Sequence, residues 1–222
     1  MTFYITALLL GLSLSAIAMG IFISMKIFNI PDITTDGSYT LGAVITAIGL
    51  SNGYPIIVTY LMAVAGGAVA GSITGFIHTK LKVNALLAGI LVMTALYSIN
   101  LSILGRSNLP LISVTNLFQT FSFSADSDIN SFIVLLLIIG VLWTALSLLL
   151  KTDFGLTMRA TGNSETMIRA LGVNTNKMKI IGLAISNGLV ATAAFLVAQY
   201  QGFADINMGI GIVIVGLGSV MI

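Results

Sequence analysis

Long apolar runs alternate with short polar breaks along the chain. Phe3–Met25, Pro55–Ile77, Val83–Leu104, Ser131–Leu150 and Ile180–Gln201 approach or exceed the ~18–20 residues that mark a membrane span. Two further runs, Gly37–Leu50 and Gly209–Ile222, hold 14 residues each. As helices they reach only ~21 Å against a ~30 Å hydrocarbon core. The pattern predicts an all-α fold, a polytopic transmembrane helical bundle, with one domain over residues 1–222 that is expected to be cut off within its last helix. Because Gly37–Leu50 is short, the second helix is expected to be broken, with residues 29–36 at membrane depth. Irregular backbone is tolerated there only when buried in protein or lining a wet cavity.

Composition agrees with the pattern. The chain is 57% hydrophobic and 7% charged, with a mean hydropathy of +1.09, where soluble domains carry about a quarter charged residues. Without cysteine, disulfides, zinc–thiolate sites and thiol catalysis are excluded. A net charge of +2 is too small to imply nucleic acid. Ala16-Ile17-Ala18 mimics a signal-peptidase site, but the first basic residue, Lys26, follows the apolar run, so Phe3–Met25 is read as a retained first helix.

The placement of charge sets a topology. Lys26, Lys80, Lys82, Lys151, Arg159, Arg169, Lys177 and Lys179 fall on one side of the alternating spans, and only Arg106 falls on the other. The positive-inside rule then puts the N-terminus outside and the 151–179 loop in the cytoplasm. The 105–130 and 202–208 loops face outside.

No phosphate-binding loop, H-E-x-x-H motif or other catalytic constellation is present. His78, the lone histidine, reads as a polar end-residue beside Lys80. Gly209-Ile-Gly211 starts a dinucleotide fingerprint that lacks its third glycine. Ala63, Gly67, Gly71 and Gly75 place small residues on one helix face. That face reads as tight packing within the chain, with a dimer seam as the alternative.

Two polar stretches stand out. In "IPDITTDGSYTLGA", residues 30–43, Asp36 is placed to cap a helix starting at Gly37, accepting from the N–H of Ser38 or Tyr39. Asparagine should then replace it mildly. Asp32, Asp36, Gly37 and Ser38, with Tyr97, Asn100, Asn187 and Asp205 from other segments, form a candidate translocation path. "PDITTDG" at 31–37 and "ADINMGIG" at 204–211 share Asp-Ile followed by glycine, and they follow helices of opposite direction, as an inverted repeat would give.

In the cytoplasmic loop, Glu165–Leu171 predicts a short helix capped by Asn163 or Ser164. Glu165 and Arg169 match the helix dipole, Gly172 supplies a left-handed stop, and Met167, Ile168 and Leu171 cluster toward one face. Such a helix suits docking to a partner or lying on lipid headgroups.

"MRATGNSETMIRALGVNTNKMKIIGLAISNGLVATAAFLVAQYQGFADINMGIG" resembles the permease subunits of ABC importers of the branched-chain amino acid and ribose type. Within that family it is most similar to the subgroup described as tryptophan/tyrosine permeases. Arg159-Ala160-Thr161-Gly162-Asn163-Ser164 matches the family's lead-in to a coupling helix, and Leu171-Gly172-Val173 its following turn. "PDITTDGSYTLGA" resembles the family's early motif. The resemblance implies a multi-pass permease of the bacterial cytoplasmic membrane that imports a small solute, an amino acid in this subgroup. It implies a second permease copy, cytoplasmic ATP-binding subunits docked on residues 159–172, and an extracytoplasmic solute-binding protein. No cofactor is expected on this chain, because ATP belongs to the partner subunit. A secondary transporter or channel without an ATPase is the alternative; it would explain the spans but not the capped cytoplasmic helix.

Overall fold

The computed structural model describes residues 2–112, 114, 117–121 and 126–221. Five of its helices are long and apolar enough to cross a membrane. They are α1 (Thr2–Ile21, continued by a π-helical turn, Phe22–Ile27), α3 (Ile56–Lys80), α4 (Ala85–Leu104), α6 (Ser127–Lys151) and α9 (Thr175–Gln201). The others are α2 (Thr34–Ser51), α5 (Leu117–Thr120), α7 (Asp153–Asn163), α8 (Glu165–Ala170) and α10 (Ile212–Met221). Two three-residue strands, β1 (Asn108–Pro110) and β2 (Phe203–Asp205), complete the described elements.

α2 and α9 form the centre of the bundle. Fifteen of the 18 residues of α2 are buried, among them Thr34, Thr35, Ser38 and Thr40. That burial explains its polar composition. A membrane helix enclosed by protein satisfies its hydroxyls internally, here by Ser38, Thr40 and Thr46 donating to carbonyls one turn back. The lipid-length helices leave apolar residues exposed, such as Leu61 and Val69 on α3 and Leu137 and Trp143 on α6.

The glycine face of α3 packs against α9 within the chain. A Cβ on Gly67 would meet the Asn187 carbonyl oxygen at 2.5 Å, and one on Gly71 would run into the Leu183 carbonyl. Close backbone approach of this kind needs small residues and gives tight van der Waals contact in place of a hydrophobic driving force. Gly42 of α2 does the same against Ala191 of α9.

β1 and β2 pair antiparallel, with Asn108 opposite Asp205 and Pro110 opposite Phe203. They join the 105–130 and 202–208 segments, which the charge pattern assigns to the same, outer side. At the opposite end α7 packs under the π-helical turn, close to Lys26. Its Gly162 leaves no room for a Cβ beside the Ile27 carbonyl. The pairing of loops thus agrees with the alternation read from charge.

The break lies earlier than expected. The first helix ends in the π-helical turn and Asn29, whose φ of 58° is left-handed. Residues 30–33 then lead into α2 at Thr34, so Thr34–Gly37 is the first turn of a helix and not part of the break. Asp32, with its Oδ1 accepting from the Thr34 N–H at 3.0 Å, starts that helix. Four more residues lengthen it to ~27 Å.

Candidate translocation site and coupling helix

Asp32 is 4% exposed. Its Oδ2 accepts from Asn187 Nδ2 at 2.7 Å. Asn187 Oδ1 accepts in turn from Ser38 Oγ at 2.5 Å, and Thr34 Oγ1 meets Thr74 Oγ1 of α3 at 2.7 Å. Asn187 stands seven residues, ~10 Å, beyond Ile180, where the apolar span begins, and Thr74 stands six residues, ~9 Å, before Lys80, so both lie about a third of the way through the hydrocarbon core. Three of the residues singled out in the sequence, Asp32, Ser38 and Asn187, therefore form one buried network. Thr34 and Thr74 belong to it and carry no sequence signal beyond being polar within apolar surroundings.

Asp36 does not cap its own helix. Its Oδ2 accepts from the Gly211 N–H at 3.0 Å and its Oδ1 from the Val213 N–H at 2.8 Å. It caps α10, and Ser38 and Tyr39 donate their N–H groups within α2. The reason is register: α2 starts before Asp36, so the carboxylate points sideways from the first turn toward the chain returning at 209–213. Gly209 fits there because a Cβ would collide with the Asp36 carbonyl. Gly211, at φ 86°, turns the chain into α10. Asp36 is thus flanked by two helix N-termini, whose partial positive charge favours a carboxylate.

α10 heads inward from this point. Its Gly216 packs on Ile17 and Ile21 of α1, and Ser219 and Val220 approach Lys151 and Arg159. α1–break–α2 and α9–turn–α10 therefore run in opposite senses, with the Asp-Ile pairs Asp32-Ile33 and Asp205-Ile206 in the two turns.

The remaining path candidates separate. Asn100 of α4 is buried, donates to the Gly37 carbonyl at 3.4 Å and leaves its Oδ1 without a hydrogen-bond partner. Gly37 lies against Met93 and Leu96 of α4. Tyr97 is exposed on the outer surface of α4, away from this cluster. Asp205 is also elsewhere, in the outer hairpin, where it accepts from the Asn207 N–H at 2.8 Å and from Asn108 at 3.4 Å. A cavity of about 260 Å³ lies between the break, α4 and α10, lined by Ser24, Pro31, Asp32, Leu86 and Val213 among others.

At the end that the charge pattern assigns to the cytoplasm, the lead-in is itself helical. α7 begins with Thr152, whose Oγ1 accepts from the Gly155 N–H. Arg159, Gly162 and Asn163 lie on α7, and Asn163 is its last residue. Ser164 occupies the position before α8 but makes no side-chain cap bond. Gly172 has the expected left-handed φ, at 84°. Of the expected apolar cluster, Ile168 turns inward at 8% exposure, while Met167 and Leu171 stay 63% and 69% exposed. Ile168 anchors α8, and Met167 and Leu171, four residues apart, share the free surface.

Glu165 ties α8 to the base of α9. Its Oε2 accepts from Lys179 Nζ at 2.6 Å, and its Oε1 from Arg169 at 2.6 Å and from Thr175 at 3.1 Å. The hydrogen bond from Lys179 holds the Glu165 carboxyl below the usual carboxylate range. The Glu165–Arg169 spacing was readable as an i, i+4 pair. The Lys179 contact was not, since it depends on how the loop folds back.

Residues 3–222 match the model of a permease family described as "Branched-chain amino acid transport system / permease component". The "Tyrosine transport system permease protein" of Clostridioides difficile (strain R20291) is 45% identical over 212 residues, 96% of this chain and 70% of that protein. An uncharacterized protein of Rickettsia prowazekii (strain Madrid E) is 37% identical over 222 residues, 100% of this chain and 77% of its own length. An "Autoinducer 2 import system permease protein LsrC" of Enterobacter sp. (strain 638) is 28% identical over 199 residues, 88% of this chain and 56% of that protein. No solved structure matches. With the apolar spans and a family match over nearly its whole length, the chain is a multi-pass membrane protein and belongs to the branched-chain amino acid transport system permease family.

Proposed function

We propose that the chain is the membrane-spanning permease of a binding-protein-dependent ABC importer in the bacterial cytoplasmic membrane. Its solute is an amino acid, and an aromatic one is favoured by the similarity to a tyrosine transport permease. A second copy of the permease completes the pathway. A solute-binding protein delivers from outside, and ATP is hydrolysed by cytoplasmic subunits docked on α8. This chain binds no cofactor of its own.

The observation that carries the reading is the pairing of α8 with the break. Met167 and Leu171 present an exposed apolar pair on a helix whose other side is fixed by Ile168 and Glu165. The α7–α8 unit abuts the first helix at Gly162, immediately below the break that leads to Asp32. A force applied at α8 thus has a contiguous packed route to the buried polar network. The cavity beside Asp32 is below the ~300–1,000 Å³ of drug-sized sites, which suits a small solute or one end of it.

Leu171→Asp tests the reading. Leu171 is exposed, so the variant should fold and insert, but a charge in an apolar contact should cost ~2 kcal/mol or more of docking. The measurement is co-purification of the ATPase subunit and solute-stimulated hydrolysis in proteoliposomes. Retention of both would remove α8 from the coupling role. Uptake independent of any ATPase would favour a secondary transporter or channel.

A further inference from the structure

We propose that the slot between α1, α6, α7 and α10 at the cytoplasmic side binds an anionic phospholipid, with its phosphate on Lys151 and Arg159 and an acyl chain along the apolar wall. The slot has a volume of about 550 Å³, and its depth is lined by Met19, Trp143, Leu146 and Val220. Lys151 closes α6 and Arg159 lies on α7, and both line the same slot. A second cavity of about 210 Å³ adjoins it, sharing Phe22 and Arg159 and adding Lys26. Lys151 and Arg159 therefore stand at one apolar opening, and Lys26 lines the cavity beside it.

Their lack of partners separates them from the other cytoplasmic cations. Arg169 and Lys179 are both paired with Glu165. Among the described residues, no ion pair includes Lys26, Lys151 or Arg159, and Asp153, the nearest acid in sequence, lines neither cavity. All three cations are exposed, so their charges are open to an anion at the membrane surface. The charge pattern places that opening at the inner leaflet, where anionic headgroups are attracted to basic pockets between transmembrane helices. A free phosphate would satisfy the cations but leave the apolar wall uncovered. A phospholipid satisfies both with one molecule, its diester at the mouth and its tail in the slot.

Trp143, the chain's single tryptophan, lines the slot and reports on it. The full-length permease, with Trp143 as its emitting tryptophan, is placed in nanodiscs containing chain-brominated phosphatidylglycerol or chain-brominated phosphatidylcholine at equal mole fraction. The brominated anionic lipid should quench Trp143 at a several-fold lower mole fraction, as expected for two cations near an anionic headgroup. Lys151→Gln with Arg159→Gln should abolish that preference and leave quenching by phosphatidylcholine unchanged, while Lys151→Arg should retain it. Equal quenching by the two lipids, or a preference that survives the double variant, would overturn the assignment. Recovery of fluorescence on adding soluble glycerol phosphate would assign the cations to a soluble anion, and absence of quenching by either lipid would mean that protein covers the slot. Both outcomes would also reject the lipid.

Discussion

Replacing Asp36 tests whether one carboxylate holds α2 and α10 together. Its two oxygens take the N–H groups of Gly211 and Val213 at 3.0 and 2.8 Å. Both bonds are part-buried, and an orphaned N–H costs about 1–3 kcal/mol where water is kept from it. Asp36→Leu removes both acceptors and should destabilise the junction by roughly 2–6 kcal/mol. Asp36→Asn keeps one oxygen and turns an N–H donor toward the other N–H, so it should cost at least ~1–3 kcal/mol. That outcome is the reverse of what a simple cap of α2 would give, since asparagine caps nearly as well as aspartate. The assay is amide hydrogen exchange over 209–215 in detergent or nanodiscs, with α9 as the internal control. Exchange at Gly211 and Val213 should rise modestly in Asp36→Asn and strongly in Asp36→Leu, and transport should fall in the same order while ATPase association persists. Equal protection in Asp36→Asn and the unsubstituted protein would refute the two-acceptor argument, and normal protection in Asp36→Leu would remove the junction altogether.

Gly71→Ala forces a Cβ into the Leu183 carbonyl, and an overpacking cost of ~1–3 kcal/mol should appear as a lower unfolding temperature. Gly11→Ala meets nothing within 4 Å and should be neutral in the same assay. Glu165, whose folded pKa lies below its ordinary 4.5, contributes stability that is complete above about pH 4.5 and lost as pH falls through the depressed value. The protection factor of α8, which is exchange corrected for its intrinsic pH dependence, should therefore fall on the acid side in the native chain and change little with pH in Glu165→Gln; the exposed pairs limit the effect to ~1 kcal/mol or less each. A cysteine at Asn174, free of native competition, should be labelled by an impermeant reagent only from the cytoplasmic side. Labelling from outside would invert the topology.

The sequence carried the spans, the topology and α8 because each rests on local physics. Apolar length, loop charge and capping chemistry need no knowledge of neighbours. The Gly67/Gly71 stripe was legible as a packing face, and its partner, α9, was not. Asp36 shows where local reasoning stops. A carboxylate before a glycine looks like a cap of the following helix, but three preceding residues, Ile33, Thr34 and Thr35, were already able to start it. Its acceptors then reached a segment 175 residues away. Asp205 misled in the other direction. It shares its Asp-Ile pair with Asp32, but the β-ribbon pairs it with Asn108 and Asn207 and not with the polar network. Tyr97 lies one helical turn before Asn100 and follows Leu96 directly, which puts it at the edge of the buried stripe of α4, where its side chain stays exposed. α7 reads as a lead-in because its two glycines and two threonines suppress an obvious helical signal.

The bond between Asp36 and α10 also fixes an order of events during synthesis. Asp36 leaves the ribosome 175 residues before Gly211. At ~5–20 residues per second that interval is roughly 9–35 s. Throughout it the Asp36 carboxylate lacks the N–H groups that make its burial tolerable, and Asp32 lacks Asn187. The first turn of α2 therefore reaches its final hydrogen bonding only when α9 and then α10 arrive. The centre of the mature bundle is therefore among its last parts to be sealed, and any delay after residue 201 prolongs the exposure of two unpaired acids laid down at the start.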